Sequence, residues 1–209
     1  MRTIAILPVK SFGRAKQRLT GGFPDRPGLA AAMVSDVLDA LAQVPELDDV
    51  IVVTAQAVSA DRRVMIVHDP VEAGQSAAAA RGIEAALERG AERVLLVPGD
   101  CPSLDPSEVR ALLATRADVV IVPDRHGTGT NSLLLTPPTV IAPAFGEGSF
   151  ERHRGLAAAA GASFHVAQAG SLELDVDTRD DLAALRRALG ERPGGAVRTR
   201  ALLEEAAVA

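Results

Sequence analysis

The residues best equipped for chemistry are three aspartates and two lysines, spread over most of the chain. Asp100 stands in VPGDCPSL, directly after the apolar run Val94 to Val97, which reads as a short buried strand stopped by Pro98-Gly99. In open parallel α/β sheets the loops beyond the strands' carboxyl ends diverge and leave a ligand crevice. A carboxylate there can hold a metal or simply cap its own turn, and the local residues do not separate the two. Asp175-Val176-Asp177 is the second acidic element. On a strand, residues two apart share a face, so both carboxylates would point one way, with Leu174 and Val176 the other. Anions that close repel unless a cation sits between them. Asp177 could instead cap the next helix, with Asp180 and Asp181 in its first turn, which leaves Asp175 unexplained. If Asp100 lies opposite, the three carboxylates make an oxygen-rich site suited to magnesium.

The cations complement this. The chain has twenty Arg and only two Lys, Lys10 and Lys16, both in the basic loop KSFGRAKQR. A compact, flexible ammonium suits a phosphate. Lys10, Arg14, Lys16 and Arg18 could gather round a polyphosphate, with Gly13 letting the backbone approach; a solvated surface loop is the alternative. The loop is neither a P-loop nor a G-x-G-x-x-G turn. Two glycine-bearing loops offer equipment for a small anion: residues 126–131 (HGTGTN) and residues 145–149 (FGEGS), the latter at a helix amino terminus. Arg152 and His153, in the first turn after Ser149, either add charge there or decorate a surface helix face. His68, His126 and His165 lack zinc spacing. Cys101 has no basic neighbour in sequence and reads as a buried thiol.

Positioning these groups falls to alternating strands and helices. Strands are expected at 3–9, 49–54, 64–68, 94–97 and 118–122, an apolar segment at 132–135, and further strand candidates at 163–168 and 172–176. Helices are expected at 27–44, 73–90 (entered through Gly74-Gln75-Ser76), 106–114 (capped by Asp105), 150–160 (capped by Ser149) and 179–189 (closed by Gly190). Gly194-Gly195 introduces a tail, from about residue 191, whose end forms at most a loose helix. The order predicts one domain over 1–209, a three-layer α/β/α sandwich with a mostly parallel, Rossmann-like sheet.

Composition narrows the partners. A chain of 209 residues can bury one sizeable core, and 47% hydrophobic with 23% charged residues is ordinary for a globular protein. A net charge of -5, no Trp or Tyr and five Phe argue against nucleic-acid binding, which needs phosphate neutralisation and stacking. No apolar run approaches the ~20 residues of a membrane span, and MRTIAILPVK does not read as a signal peptide. One cysteine excludes an internal disulfide. A cytoplasmic location is the default expectation.

Taken together, LPVKSFGRAKQRL, VPGDCPSL, DRHGTGTNSLLL, FGEGSFERH and LELDVDTRDDL resemble one family, in order, from Ile4 to about Leu185. It comprises the guanylyltransferases that join GMP to phosphoenolpyruvate or 2-phospho-L-lactate in coenzyme F-420 biosynthesis. They are relatives of molybdenum-cofactor guanylyltransferases and nucleotide-diphospho-sugar transferases. The resemblance implies magnesium at Asp100, Asp175 and Asp177, and nucleotide phosphates at Lys10 and Lys16. It implies contacts from Thr130, Gly146 and Ser149 to the three-carbon acid. Gly74-Gln75-Ser76 falls where the family usually shows a Gly-Leu-Asn-like turn near the guanine. GTP and a phosphorylated three-carbon acid are therefore the expected partners, and oligomeric state stays open, a homodimer included. The rivals are a molybdopterin or sugar-phosphate nucleotidyltransferase, for whose larger acceptor residues 123–149 leave little lid, and a non-catalytic GTP-binding module.

Overall fold

The computed structural model describes residues 1–14, 16, 19, 23–56, 58, 63–192 and 194–208; the Arg14, Ala207 and Val208 side chains lie outside the description, as does Arg18 of the basic loop. Among the described residues one sheet is formed by β1 (Thr3–Pro8), β2 (Asp49–Thr54), β3 (Val64–His68), β4 (Arg93–Leu96), β5 (Val119–Pro123), β6 (Thr130–Leu135) and β7 (Phe164–Val166). Its order is β3-β2-β1-β4-β6-β5-β7, parallel throughout except that β6 runs antiparallel to β4 and β5. The helices are α1 (Arg26–Leu41), α2 (Gln75–Glu88), α3 (Pro106–Ala114), α4 (Ser149–Ala159), the single turn α5 (Gly170–Glu173), α6 (Arg179–Glu191) and α7 (Val197–Val208). The expected mostly parallel three-layer sandwich is the observed fold.

Apolar runs become central strands because both faces are covered. Along β1, Ala5 and Leu7 pack with Val34, Val37 and Leu41 of α1 and Val109 of α3. Ile4 and Ile6 face Ala79 and Ile83 of α2 and Ala157 of α4. All four strand residues are fully buried, and each Ile or Leu contributes roughly 1.5–3 kcal/mol. Helix α2 comes so close to β1 that a Cβ on Gly82 would stand 2.3 Å from Ile6 Cγ2. The other face of α1, with Leu29 and Met33, receives Leu182, Leu185 and Leu189 of α6 and Leu203 of α7.

Some expectations need correction. Residues 172–176 are not a strand: α5 takes Leu172, and residues 174–177 follow outside any helix or strand. The cause lies in side-chain bonds. Glu108 Oε2 accepts from both N–H and O–H of Ser171, Ser171 Oγ accepts from Asp105 N–H, and Glu173 reaches back to Ala169 N–H. These hold the chain in a turn that the apolar alternation alone does not reveal. Helix α4 is preceded by Gly148 in the left-handed region (φ 69°), so Ser149 is its first residue and not its cap. Thr178, not Asp177, caps α6 through a capping box with Asp181, and the helix runs through Gly190 to Glu191. The tail helix α7 is docked: the Arg198 and Thr199 N–H groups donate to the buried Asp36 carboxylate at 3.1 and 2.8 Å.

Candidate active site

The chain leaves β1 to build β2 and β3 on one side, then returns to place β4 on the other. At such a reversal the loops after β1 and β4 part, and the crevice between them is the natural ligand site. A cleft of about 710 Å³ opens there, with Lys10 and Lys16 on its β1 side, Asp100 after β4, and Thr130, Asp175 and Asp177 completing the wall. The turn at Gly99 is tightly held; a Cβ there would meet Val34 at 3.1 Å and Val9 at 3.3 Å. That contact fixes where Asp100 emerges.

Lys16 is the centre of the cluster. Its Nζ donates to Asp100 Oδ2 at 2.5 Å and to Asp177 Oδ1 at 3.3 Å, with the residue only 9% exposed. Burial opposes its charge, but the two carboxylates outweigh burial and hold its pKa above the ordinary value. Its backbone is left-handed (φ 55°), a conformation costing roughly 1–2 kcal/mol for a residue with a Cβ. Such strain persists where surrounding contacts over-determine it. Lys10 sits exposed on the rim and pairs with no carboxylate among the described residues.

Asp175 enters from the opposite wall. Its Oδ1 accepts from Asn131 Nδ2 at 3.1 Å, and Asn131 also donates to Leu172 O at 2.9 Å. Val176 N–H donates to Asp100 O at 3.2 Å, tying this segment to the β4 turn. Val176 itself is fully buried among the α1 and α6 side chains, so the expected alternation of sides survives without a strand. Burial, then the charge of Asp100, raises the Asp175 pKa, with Asn131 opposing. Among the described residues no set of three His, Cys, Asp or Glu side chains stands ready-made as a cation site. The carboxylates share a cleft, and the Lys16 ammonium bridges two of them. As a donor set they fit magnesium, a hard cation that takes carboxylate oxygens and keeps several waters.

The two glycine-bearing loops behave differently from each other. In the 126–131 loop, Asp124 Oδ1 accepts the His126 and Thr128 N–H groups, and Asp124 O accepts from Gly127 N–H. Those amides are spent within the turn, so the loop is no anion cradle; Thr130 and Asn131 alone of it reach the cleft. Ser149 does not line the cleft. It is buried behind Thr130, accepting the Thr130 N–H at 2.8 Å. Gly146 (φ 109°) is exposed beside it, in a turn whose carbonyls at Ala144, Phe145 and Glu147 are gathered by the Arg152 guanidinium. Gly74 and Gln75 line the cleft at the start of α2, whereas Ser76 Oγ accepts the Phe145 N–H at 2.8 Å and so joins the α2 entry to the 145–149 loop. Cys101 is fully buried, and burial raises its pKa well above the usual thiol value, as expected of an inert thiol.

His153 is not on a surface face. It is fully buried, its Nδ1 is 2.9 Å from Thr130 Oγ1 and its Nε2 accepts the Ala144 N–H at 2.9 Å. Burial, then the Arg152 charge, lowers its pKa to about 4. The signal was present in the sequence: Ser149, His153 and Ala157 recur at i, i+4 and i+8, the buried stripe of α4.

Fold and cleft together define a nucleotidyltransferase-type α/β protein. A solved structure from Desulfovibrio desulfuricans G20, described as a nucleotide-diphospho-sugar transferase, superimposes with a TM-score of 0.77 at 20% identity, covering 98% of this chain and 95% of that one. The family model "Guanylyl transferase CofC like" matches residues 3–187, and the chain belongs to that family. It is 49% identical to a phosphoenolpyruvate guanylyltransferase of Conexibacter woesei over 98% of this chain and 96% of the relative. It is 36% identical to a 2-phospho-L-lactate guanylyltransferase of Methanothermobacter thermautotrophicus over 88% and 84% of the two.

Proposed function

We propose that this chain transfers the guanylyl group of GTP to the phosphate of phosphoenolpyruvate and releases pyrophosphate, as a cytoplasmic enzyme of coenzyme F-420 biosynthesis. The observation that carries the reading is the meeting of Lys16 with Asp100 and Asp177 at the β1/β4 crevice, facing Asp175. Near-half identity over the full chain to a phosphoenolpyruvate guanylyltransferase supports the choice of acceptor.

In the reaction an acceptor phosphate oxygen forms a bond to the α-phosphorus of GTP, and the bond to the β-phosphate bridging oxygen breaks. The acceptor phosphate is ionised near neutral pH, so no general base is needed. The barrier is the gathering of several negative charges, and preorganised cations lower it most. Lys10, exposed on the rim, meets the triphosphate. Lys16 exchanges part of its hold on Asp100 and Asp177 for phosphate oxygens. Asp100, Asp175 and Asp177 would hold magnesium, which supplies charge neutralisation on the reacting oxygens when bound. Gly74 and Gln75, at the open start of α2, are placed to meet the nucleotide's remaining part.

The test is pyrophosphate release with GTP, magnesium and each of phosphoenolpyruvate, 2-phospho-L-lactate and 3-phosphoglycerate, with ATP and CTP as controls. Fastest turnover with GTP and phosphoenolpyruvate is expected. Preference for another acid reassigns the acceptor, and release with none of the three overturns the reading.

A further inference from the structure

We infer that His153 is a positioning residue that turns the Thr130 hydroxyl into an obligate hydrogen-bond donor toward the anionic acceptor. The inference rests on the proposed function and deepens it.

A backbone amide can only donate. Ala144 N–H points at His153 Nε2 at 2.9 Å, so that ring nitrogen must be the acceptor. A neutral imidazole then carries its proton on Nδ1, and Nδ1 lies 2.9 Å from Thr130 Oγ1. Thr130 Oγ1 therefore receives a hydrogen bond and must send its own proton elsewhere. Among the described residues no acceptor takes it. Thr130 lines the cleft, and its backbone is pinned from behind by Ser149 Oγ at 2.8 Å. The hydroxyl proton is thus left for a ligand oxygen.

Complete burial keeps the imidazole neutral at working pH, so this polarity does not switch off. The ring is also clamped sideways by Phe145, edge-on at 5.3 Å between centroids. Phe145 belongs to the loop that Ser76 ties to the start of α2. An acceptor carboxylate or phosphate, which can only accept, matches a hydroxyl that can only donate. A neutral acceptor hydroxyl in the same place would gain less, since hydrogen bonds to charged groups are the stronger ones.

Two variants and one spectrum test this. His153→Leu keeps the bulk and removes both ring nitrogens; His153→Asn offers an amide N–H near the position of Nδ1. Pyrophosphate release is followed while phosphoenolpyruvate and GTP are varied in turn. His153→Leu should raise the KM for phosphoenolpyruvate about tenfold or more while changing that for GTP less than about twofold, and His153→Asn should recover most of the loss. In a Thr130→Val background the Leu substitution should add little further. A long-range ¹H–¹⁵N spectrum of the wild type near pH 7.5 should show Nδ1 protonated and Nε2 bare. Equal rises in both KM values, no rise for the acceptor, or an Nε2–H tautomer would overturn the inference alone. A wild-type enzyme inactive with all three acids would remove the proposed function and this inference with it.

Discussion

Between pH 7.5 and pH 5 an unfolded chain protonates its histidines, and folded His153 does not follow. Its pKa falls from 6.5 to about 4 on burial, so the neutral ring is the form the fold selects. A base whose folded value lies below its unfolded one supports stability fully above pH 6.5 and loses that support as pH drops toward 4. Crossing the whole window costs about 3 kcal/mol, and about 2 kcal/mol of it is gone by pH 5. His153→Leu isolates this contribution, because every carboxylate titrates alike in the two proteins. The variant starts out weaker, having orphaned the Ala144 N–H and the Thr130 hydroxyl. Urea unfolding at both pH values should then show the wild-type advantage shrinking by about 2 kcal/mol on acidification. An advantage constant within about 0.5 kcal/mol would refute the reasoning, since it would mean His153 protonates alike in both states.

Other outcomes follow from the same geometry. Lys16→Ala should lower kcat/KM for GTP by roughly 100-fold or more, while Arg110→Ala, which breaks only an exposed pair with Glu46, should change it less than about twofold; equal effects would remove the phosphate role. Asp100→Ala and Asp175→Asn should each cut magnesium-dependent pyrophosphate release by about 100-fold, with the urea midpoint of Asp175→Asn unchanged or raised because burial beside Asp100 already penalises the charge. Full activity in either removes the metal assignment. Gly82→Ala should destabilise by about 1–3 kcal/mol by forcing a methyl against Ile6. Gly155→Ala, exposed on α4 with nothing within 4 Å, should stabilise by roughly 0.5–1 kcal/mol. Thermal melts of the pair would check both signs.

Much of this was legible because the informative signals are local. Apolar runs bounded by Pro, Gly or Asp located β1, β2, β3 and β4 within a residue or so, and Asp105-Pro106 announced α3. The site followed from that pattern, since fixing the ends of β1 and β4 fixes where Lys16 and Asp100 can meet. What escaped depends on long-range partners. The 172–176 segment alternates like a strand but is held by Glu108 and Ser171, 63 residues apart. Asn131 lies within the HGTGTN loop, but nothing in that loop's sequence tells that its amide donates to Asp175, 44 residues further on. His153, expected either to add charge beside Ser149 or to lie on a surface face, does neither, because its helical spacing puts it on the inward stripe.

The reversed strand β6 has an engineering meaning. Because it runs against its neighbours, its first residues, Thr130 and Asn131, arrive at the same rim as the ends of β1 and β4 without a crossover helix. Under the proposed function, most groups assigned to the acceptor fall within residues 124–153, apart in sequence from Lys10, Lys16, Asp100 and Asp175. Exchanging that stretch between relatives should retune which acid is guanylylated while leaving nucleotide chemistry in place, provided Asn131, which holds Asp175, and the Ser76–Phe145 seam are kept.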